Sequence, residues 1–224
     1  IIILCGGLGT RFRGVDDKIP KSLGHVSGKP IIRWLIDDIK EMGFKRIILA
    51  TGYMGDQIEK YISEIDNVEI IISREDFPLG TGGAIKNAES QINSDTFFVL
   101  NGDTRVQINL GHLYNSYIEN SADMSILLSS ATNGEDYGRV EINDKNILTG
   151  FLEKEKMEEV NYVNSGVYCI GKSLLLNMDK DKNYSLENEL IPEWIKLGKV
   201  YGYVINKPFI DIGTPERFKK AKFE

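Results

Sequence analysis

Positions 1–21 read Ile-Ile-Ile-Leu-Cys-Gly-Gly-Leu-Gly-Thr-Arg-Phe-Arg-Gly-Val-Asp-Asp-Lys-Ile-Pro-Lys, an apolar run that passes directly into a glycine cluster. Four apolar residues followed by glycines are typical of a buried parallel strand that enters a tight loop. Glycines allow positive φ and a close approach of backbone N–H groups to phosphate oxygens. Arg11 adds a planar charge with several donors, and Lys21 adds a mobile point charge. The loop therefore predicts a site for a triphosphate.

The glycine spacing differs from both common nucleotide-binding fingerprints. A P-loop ends in Gly-Lys-Ser/Thr, whereas Gly14 is followed by Val15. A dinucleotide fingerprint needs a third glycine where Phe12 stands, and the end of the second predicted strand, residues 50–53, lacks the acidic residue expected there. A dinucleotide-dependent oxidoreductase is therefore disfavoured.

Composition narrows the class of protein. A chain of 224 residues is long enough for one α/β domain with a substantial core, and its net charge of −6 disfavours a nucleic-acid-binding surface. Cys5 and Cys169 lie in apolar segments, as reduced core residues do. No segment approaches the roughly 20 apolar residues of a membrane span. We expect a cytoplasmic protein whose partners include neither nucleic acid nor membrane, and the sequence leaves a homodimer open.

Predicted strands and helices alternate along the first half of the chain. The predicted strands are 1–4, 46–51, 68–73 and 96–100, and the predicted helices are 30–41, 55–64 and 81–91. This order predicts a parallel sheet with helices on both faces and ligands at the carboxyl ends of the strands. The second half predicts strands 124–130, 162–170 and 200–205, a hairpin at 139–153, and helices 186–197 and 215–222.

Two aspartates occupy similar settings far apart in sequence. Asp103 follows a predicted buried strand and Gly102, and Asp211 has apolar neighbours. Buried carboxylates are costly unless they are paired or bind a metal, and carboxylate oxygens suit Mg²⁺ that bridges phosphates. The alternative is a turn or capping aspartate. The pair predicts a metal clamp, although sequence alone does not show that the two residues are close.

A second glycine loop spans Pro78-Leu79-Gly80-Thr81-Gly82-Gly83-Ala84. Its glycines permit close approach of a base or sugar to the backbone, and Thr81 can cap the following helix. A purely structural loop that needs positive φ is the alternative. Together with the first loop, it favours nucleotide recognition.

Polar residues at two predicted strand ends suit a phosphorylated sugar. Lys154 could neutralise a phosphate, Glu153 and Asn164 could bond hydroxyls, and Gly138 offers open backbone nearby. Exposed charges and a turn asparagine are the alternative readings. His25 and His112 are isolated, and no nucleophile–base arrangement or zinc spacing is evident. This fits direct displacement at phosphorus, in which positioning and charge neutralisation do most of the catalysis.

The motifs together resemble the sugar-1-phosphate nucleotidyltransferases, also called nucleotide-sugar pyrophosphorylases. They occur in the family's order as Gly-Gly-Leu-Gly-Thr-Arg (6–11), Pro-Lys (20–21), Leu-Gly-Thr-Gly-Gly (79–83), Asn-Gly-Asp (101–103), Glu-Lys (153–154), Asn-Ser-Gly-Val-Tyr (164–168) and Asp-Ile-Gly-Thr-Pro-Glu (211–216). The resemblance implies a Rossmann-like three-layer α/β/α nucleotidyltransferase fold with a mixed, mainly parallel central sheet. It implies one domain over 1–224, with a nucleotide-binding half at about 1–110 and a sugar-phosphate-binding half at about 111–224.

The resemblance also implies substrates and residue roles. A nucleoside monophosphate moves from a nucleoside triphosphate to a sugar 1-phosphate with release of pyrophosphate, and Mg²⁺ is the cofactor. GTP and a heptose 1-phosphate fit best; mannose 1-phosphate, or UTP, dTTP or CTP with a hexose 1-phosphate, are alternatives, and a non-catalytic nucleotide-sugar sensor is the non-enzyme alternative. The implied catalytic residues are Arg11, Lys21 and Asp103, and the metal ligands are Asp103 and Asp211. The implied nucleotide contacts are Leu4, Gly6, Gly7, Gly9, Thr10, Arg11, Gly80, Thr81, Gly83 and Asp103, and the sugar-phosphate contacts are Gly138, Glu153, Lys154 and Asn164.

Overall fold

A computed structural model describes residues 1–7, 9, 18–130, 137–153 and 162–223, with only the backbone described for Glu153. The strands are β1 Ile2–Leu4, β2 His25–Val26, β3 Lys29–Pro30, β4 Arg46–Thr51, β5 Glu69–Arg74, β6 Thr96–Asn101, β7 Thr104–Arg105, β8 Met124–Ser130, β9 Gly138–Ile142, β10 Leu148–Glu153, β11 Tyr162–Gly171, β12 Val200–Ile205 and β13 Ile210–Asp211. The α-helices are α1 Ile31–Glu41, α2 Gly55–Ile62, α3 Gly80–Asn87, α4 Leu110–Glu119, α5 Ile191–Lys196 and α6 Pro215–Lys220. None of the helices in these ranges is long and apolar enough to span a membrane.

One large sheet carries the fold, in the order β10-β9-β11-β6-β1-β4-β5, with β8 paired to β11 and β12 paired to β8. The strands β6, β1, β4 and β5 run parallel, as do β8 and β12. β11 runs antiparallel to β6, β8 and β9. The predicted α/β class with a mixed, mainly parallel central sheet is confirmed.

Hydrophobic cores lie on both faces of the sheet. Successive strand residues point to opposite faces, so Ile2 enters one core and Ile3 the other. The first core contains buried residues of α3 and α5, and the second contains those of α1, α2 and α4. This arrangement of helices is the predicted three-layer α/β/α architecture. Both cores draw residues from the two halves of the chain.

Helix boundaries follow the apolar spacing closely where no special residue intervenes. In α1 every third or fourth residue from Ile31 to Ile39 is buried, and Gly43 at φ 86° ends the helix in the left-handed conformation. The predicted helix at 186–197 instead begins with a π-helical turn, Leu186–Leu190, before α5. Pro192 has no backbone N–H, so regular α-helical hydrogen bonding is interrupted there. Helix α4 was not predicted from the sequence, although Asn109 caps it by accepting a bond from Gly111 N at 2.8 Å.

Candidate active site

A pocket of about 550 Å³ opens at the carboxyl ends of β1 and β6, where ligands were expected. It brings together most of the described residues that the sequence singled out. Those in its wall are Leu4, Gly6, Gly7, Gly9, Lys21, Gly80, Thr81, Asp103, Gly138, Asn164 and Asp211. Residues from both halves of the chain therefore line one cavity.

Five of the expected site residues are not placed in this pocket. Thr10, Arg11 and Lys154 lie outside the described residues, as does the side chain of Glu153. Gly83 is described but does not line the pocket. A Cβ on Gly83 would lie 2.7 Å from the carbonyl oxygen of Lys182, so this glycine allows the loop to pack tightly behind the wall.

The first glycine loop is fixed by the neighbouring strand ends. Cys5 N donates to the Ala50 carbonyl at 2.8 Å, and Gly102 N donates to the Leu4 carbonyl at 3.0 Å. A Cβ on Gly102 would lie 2.5 Å from that same Leu4 oxygen, so the close approach of the two segments requires glycine. The loop is therefore held between β4 and β6, with its backbone at the pocket.

Lys21 and Asp103 form an ion pair at the pocket wall. The Lys21 ammonium contacts one carboxylate oxygen of Asp103, and the Thr104 hydroxyl donates to the other at 3.0 Å. The Lys21 side chain is 15% exposed and that of Asp103 35% exposed. Because the pair lines the cavity, a bound phosphate could share the charge of the Lys21 ammonium.

Asp211 is brought to the same region by the short ribbon of β7 and β13. Asp211 lies opposite Thr104 in that ribbon, and Ile212 N donates to the Asp103 carbonyl at 2.9 Å. The Asp211 side chain is 8% exposed, as its apolar neighbours predicted. It contacts Arg217 Nη1 at 3.0 Å and accepts a bond from Gly213 N at 2.6 Å. The segments that carry the two aspartates are therefore adjacent.

The cation that partners Asp211 was not predicted from the sequence. Arg217 lies in the first turn of α6, below the Thr214 cap, and lines the pocket. Its guanidinium lies 4.1 Å from the ring centroid of Tyr137, which in turn packs edge-on against Phe209 at 4.9 Å. These three side chains form a wall of two aromatic rings and one cation beside Asp211. The sequence signal was a basic residue two positions after the Asp-Ile-Gly-Thr-Pro motif.

The second glycine loop is held by the chain segment that precedes the π-helical turn. Gly80 has φ 71°, and a Cβ there would collide with the carbonyl oxygen of Tyr184. Gly82 N donates to that oxygen at 2.8 Å, and Tyr184 N donates to the Leu79 carbonyl at 2.9 Å. The glycines therefore serve backbone-to-backbone packing as well as access to the pocket.

Glu75 is a second pocket residue that the sequence analysis did not identify. It follows β5, and its Oε2 accepts a bond from Leu79 N at 3.0 Å. Its Oε1 lies against the first loop, because a Cβ on Gly6 would be 2.5 Å from it. Burial raises the pKa of the Glu75 carboxyl, despite the opposing effect of the Leu79 N–H. A carboxylate thus stands between the two glycine loops.

The Cys5 thiol lines the pocket but is not suited to nucleophilic attack. Burial, with a smaller effect from the Asp103 charge, raises the pKa of Cys5 to about 12. The thiolate is the nucleophilic form of cysteine, so Cys5 remains an unreactive thiol at neutral pH. This agrees with the expectation of direct displacement.

A chain of hydrogen bonds connects two residues of the pocket wall, Thr81 and Asn164. Glu187 accepts from the Thr81 hydroxyl at 2.7 Å and from the Tyr168 hydroxyl at 3.2 Å. The Tyr168 hydroxyl accepts from Asn164 Nδ2 at 2.7 Å. Gly166, at φ 70° in the same strand, packs against the Asn101 amide, where a Cβ would be 2.7 Å away.

The sequence of this chain is similar to the sequences of known proteins along nearly its whole length. The chain is 33% identical over 224 residues to D-glycero-alpha-D-manno-heptose 1-phosphate guanylyltransferase of Aneurinibacillus thermoaerophilus, covering 100% of this chain and 96% of the relative. The protein of the same name from Campylobacter jejuni is also 33% identical, with 97% and 96% covered.

Solved structures agree with this similarity. HddC from Yersinia pseudotuberculosis has a TM-score of 0.88 at 33% identity, covering 98% of this chain and 96% of HddC. HddC complexed with GMP-PN has a TM-score of 0.87. The model of the family described as Nucleotidyl transferase matches residues 1–224. Two glycine loops, a lysine and two aspartates around one pocket thus accompany similarity along the whole length, and the chain belongs to the Nucleotidyl transferase family.

Proposed function

We propose that this protein transfers the guanylyl group of GTP to D-glycero-α-D-manno-heptose 1-phosphate, producing the GDP-sugar and pyrophosphate. The observation that carries the proposal is a single pocket in which Lys21, Asp103 and Asp211 lie between residues of both halves of the chain. Full-length similarity to two guanylyltransferases of that name supports the choice of substrates.

The carboxylate of Glu75 favours guanine among the bases. Guanine presents a ring N–H and an exocyclic amine side by side, and a carboxylate is an acceptor with two oxygens. Uracil and thymine present a single ring N–H beside carbonyl oxygens, which a carboxylate repels. Glu75 lies against the first glycine loop and accepts from Leu79 of the second, so it stands where both loops meet.

The chemistry that these residues support is in-line displacement at phosphorus. An oxygen of the sugar phosphate forms a bond to the α-phosphorus of GTP, and the bond from that phosphorus to the oxygen bridging the β-phosphate breaks. Pyrophosphate carries away the electron pair of the broken bond. Lys21 neutralises negative charge on the phosphates, and Arg11, which the resemblance assigns to the same task, lies outside the described residues.

The donor set of the pocket fits Mg²⁺ as the cofactor. Among the described residues no group of three or more histidine, cysteine or acidic side chains could hold a metal unaided. Two carboxylates on adjacent segments, with phosphate oxygens supplied by substrate, are the kind of site that Mg²⁺ favours. Asp103 and Asp211 would hold the ion, which supplies charge neutralisation on the triphosphate. Lys21 and Arg217 partner these carboxylates in the structure and would then be available to phosphate oxygens.

Residues in the second half of the chain bind the sugar phosphate. Asn164 and Gly138 line the pocket on strands β11 and β9. The amide of Asn164 offers both donor and acceptor capacity to sugar hydroxyls. Glu153 and Lys154, which follow β10 in sequence, remain proposed contacts to the hydroxyls and the phosphate.

A pyrophosphate-release assay tests the proposal. GTP, UTP, dTTP, CTP and ATP are each combined with the heptose phosphate or mannose 1-phosphate, with and without Mg²⁺. We expect Mg²⁺-dependent release with GTP and the heptose phosphate, and loss of release in Asp103→Asn with the protein still folded. Preference for another pair would retain the reaction and replace the substrates, whereas nucleotide binding without release for any pair would favour a sensor.

A further inference from the structure

The two carboxylate oxygens of Glu187 accept hydrogen bonds from two different segments of the chain. Oε2 accepts from the Thr81 hydroxyl at 2.7 Å, and Oε1 accepts from the Tyr168 hydroxyl at 3.2 Å. Glu187 itself lines the pocket and lies in the π-helical turn, an irregularity that often accompanies functional sites. It was not among the residues that the sequence or the resemblance pointed to.

The Thr81 side of this connection is fixed in orientation. The Thr81 oxygen accepts a bond from Leu186 N at 2.8 Å, which leaves its hydrogen for Glu187. Thr81 belongs to the second glycine loop and lines the pocket on the nucleotide side. Glu187 therefore fixes a hydroxyl in the loop that is proposed to approach the nucleotide.

The Tyr168 side reaches the sugar side of the pocket. The ring of Tyr168 is fully buried in the core, and its hydroxyl accepts from Asn164 Nδ2 at 2.7 Å while donating to Glu187. Asn164 Oδ1 also accepts from Gly166 N at 3.0 Å. The amide plane of Asn164 is thus fixed at both ends, and its second N–H can serve a ligand hydroxyl.

We propose that Glu187 is a positioning residue that sets the separation between the two bound substrates, an inference that rests on the proposed function. One oxygen of Glu187 fixes the second glycine loop through Thr81. The other fixes the amide of Asn164, the proposed sugar contact, through Tyr168. Both partners donate to Glu187, so a carboxylate satisfies them together, whereas glutamine would present an N–H to one donor. Hydrogen bonds to an ionised acceptor in a half-buried site are also stronger than neutral ones.

The first test breaks the connection on one side only. Tyr168→Phe keeps the buried ring and the Thr81–Glu187 bond but removes the link to Asn164. We expect the KM for the sugar phosphate to rise about tenfold, as loss of one positioning hydrogen bond implies, with the KM for GTP unchanged. Tyr203→Phe is the matched control, because Tyr203 lies in β12 and does not line the pocket. Equal changes in both KM values, or none, would overturn the inference.

The second test alters the connecting residue itself. Glu187→Gln should weaken GTP binding, measured by calorimetric titration without sugar phosphate, and should also raise the KM for the sugar phosphate. Glu189→Gln is the control, because Glu189 lies in the same turn, is exposed, and its Oε1 accepts a bond from Ser185 N at 3.0 Å, away from Thr81 and Tyr168. Thermal unfolding of every variant checks that the fold is retained. Unchanged GTP binding in a folded Glu187→Gln variant would contradict the inference.

The two proposals fail in different ways. If the wild-type protein does not catalyse the reaction of GTP with the heptose phosphate, the proposed function fails. The same variants are then assayed with the substrate pair that the wild type does use. If the wild type reacts but Tyr168→Phe behaves like Tyr203→Phe, the positioning role fails and the proposed function stands. The nucleotide titration of Glu187→Gln gives a readout that needs no turnover.

Discussion

At the scale of single residues, Lys21 best separates the proposed catalytic role of a side chain from its contribution to stability. Its ion pair with Asp103 lies at a pocket wall, and partly exposed ion pairs contribute about 1 kcal/mol or less to stability. We therefore expect Lys21→Ala to lower kcat about 100-fold or more, as loss of one charge-stabilising group does, while the free energy of unfolding changes little. Steady-state kinetics and urea denaturation measure the two effects.

The control for Lys21 is a second lysine in a comparable ion pair outside the pocket. Lys29 contacts Asp37 at 2.5 Å, and neither residue lines the cavity. Lys29→Ala should retain full turnover. Parallel losses of activity and stability in Lys21→Ala would remove Lys21 from the catalytic role.

Glu75 leads to a prediction about pH. Because burial raises its pKa above the ordinary 4.5, the folded protein takes up this proton at a higher pH than the unfolded chain does. Protonation turns one of the two acceptor oxygens of Glu75 into a donor, so the paired N–H groups of guanine are no longer both satisfied. GTP affinity should therefore fall on acidification at a higher pH than that at which free glutamate titrates. The same raised pKa means that this group favours the folded state more as the pH falls through it.

Calorimetry of GTP binding between neutral and acidic pH measures this effect. Glu75→Gln should weaken GTP binding and remove this part of the pH dependence. The ratio of wild-type to variant affinity cancels the titration of the triphosphate itself, which both proteins bind. An identical pH profile for the two proteins would argue that Glu75 does not contact the base.

Sequence reasoning identified residues that stand inside recognisable motifs and missed those that act as their partners. Lys21, Asp103 and Asn164 were predicted because glycines or strand ends mark their positions. Glu75 and Glu187 were not predicted, since a lone acidic residue in a polar stretch reads as an exposed charge. Their roles depend on which segments the sheet brings together, and single-sequence patterns carry no such distance information.

At the scale of elements, the second glycine loop depends on backbone packing against residue 184. Gly80 and Gly43 both have positive φ, but only Gly80 would place a Cβ against another carbonyl, that of Tyr184. Gly43→Ala should therefore cost roughly 1–2 kcal/mol of unfolding free energy, from backbone strain alone. Gly80→Ala should cost roughly 3 kcal/mol or more, since a collision with backbone is added to the strain.

Urea denaturation of the two alanine variants checks this difference. GTP binding by Gly80→Ala should also be weakened, because the loop must move away from Tyr184, whereas Gly43→Ala should bind normally. Equal destabilisation of the two variants would mean that the loop can move aside without cost.

The bounds of a strand or helix could be predicted from the sequence where its apolar residues follow a regular pattern. The bounds of β4, β8 and β12 agree with the predicted 46–51, 124–130 and 200–205, because buried strands read as continuous apolar runs. The π-helical turn at 186–190 was predicted as ordinary helix, since its apolar spacing is helical and only Pro192 marks the change. The ribbon of β7 and β13 was also missed, because two-residue strands leave no period to detect.

At the scale of the whole molecule, the two predicted halves share their cores. Ile2 and Trp194 belong to one core, and β6 of the first half pairs with β11 of the second. We predict that the chain unfolds as one cooperative unit, as a single domain should. Trp34 in α1 and Trp194 in α5 provide a fluorescent reporter in each half.

Single-tryptophan variants test this cooperativity. Trp34→Phe and Trp194→Phe each leave one reporter, and each reporter's urea transition is compared with the loss of helix by circular dichroism in the same variant. The fluorescence and dichroism midpoints should coincide within each variant. A fluorescence transition that precedes the loss of helix in either variant would show that the halves unfold separately.

The irregular pairing of β11 with β8 makes residue count a determinant of specificity. Asn164 pairs with Leu128 and Tyr168 with Ile126, so four steps along β11 correspond to two along β8. The extra length lets one strand present both the Asn164 amide and the Tyr168 hydroxyl to each other at 2.7 Å. Inserting or deleting one residue between them would turn the amide toward the opposite face of the sheet. A change in the length of β11 alone would therefore remove one side chain of the proposed sugar site from the pocket, without any substitution.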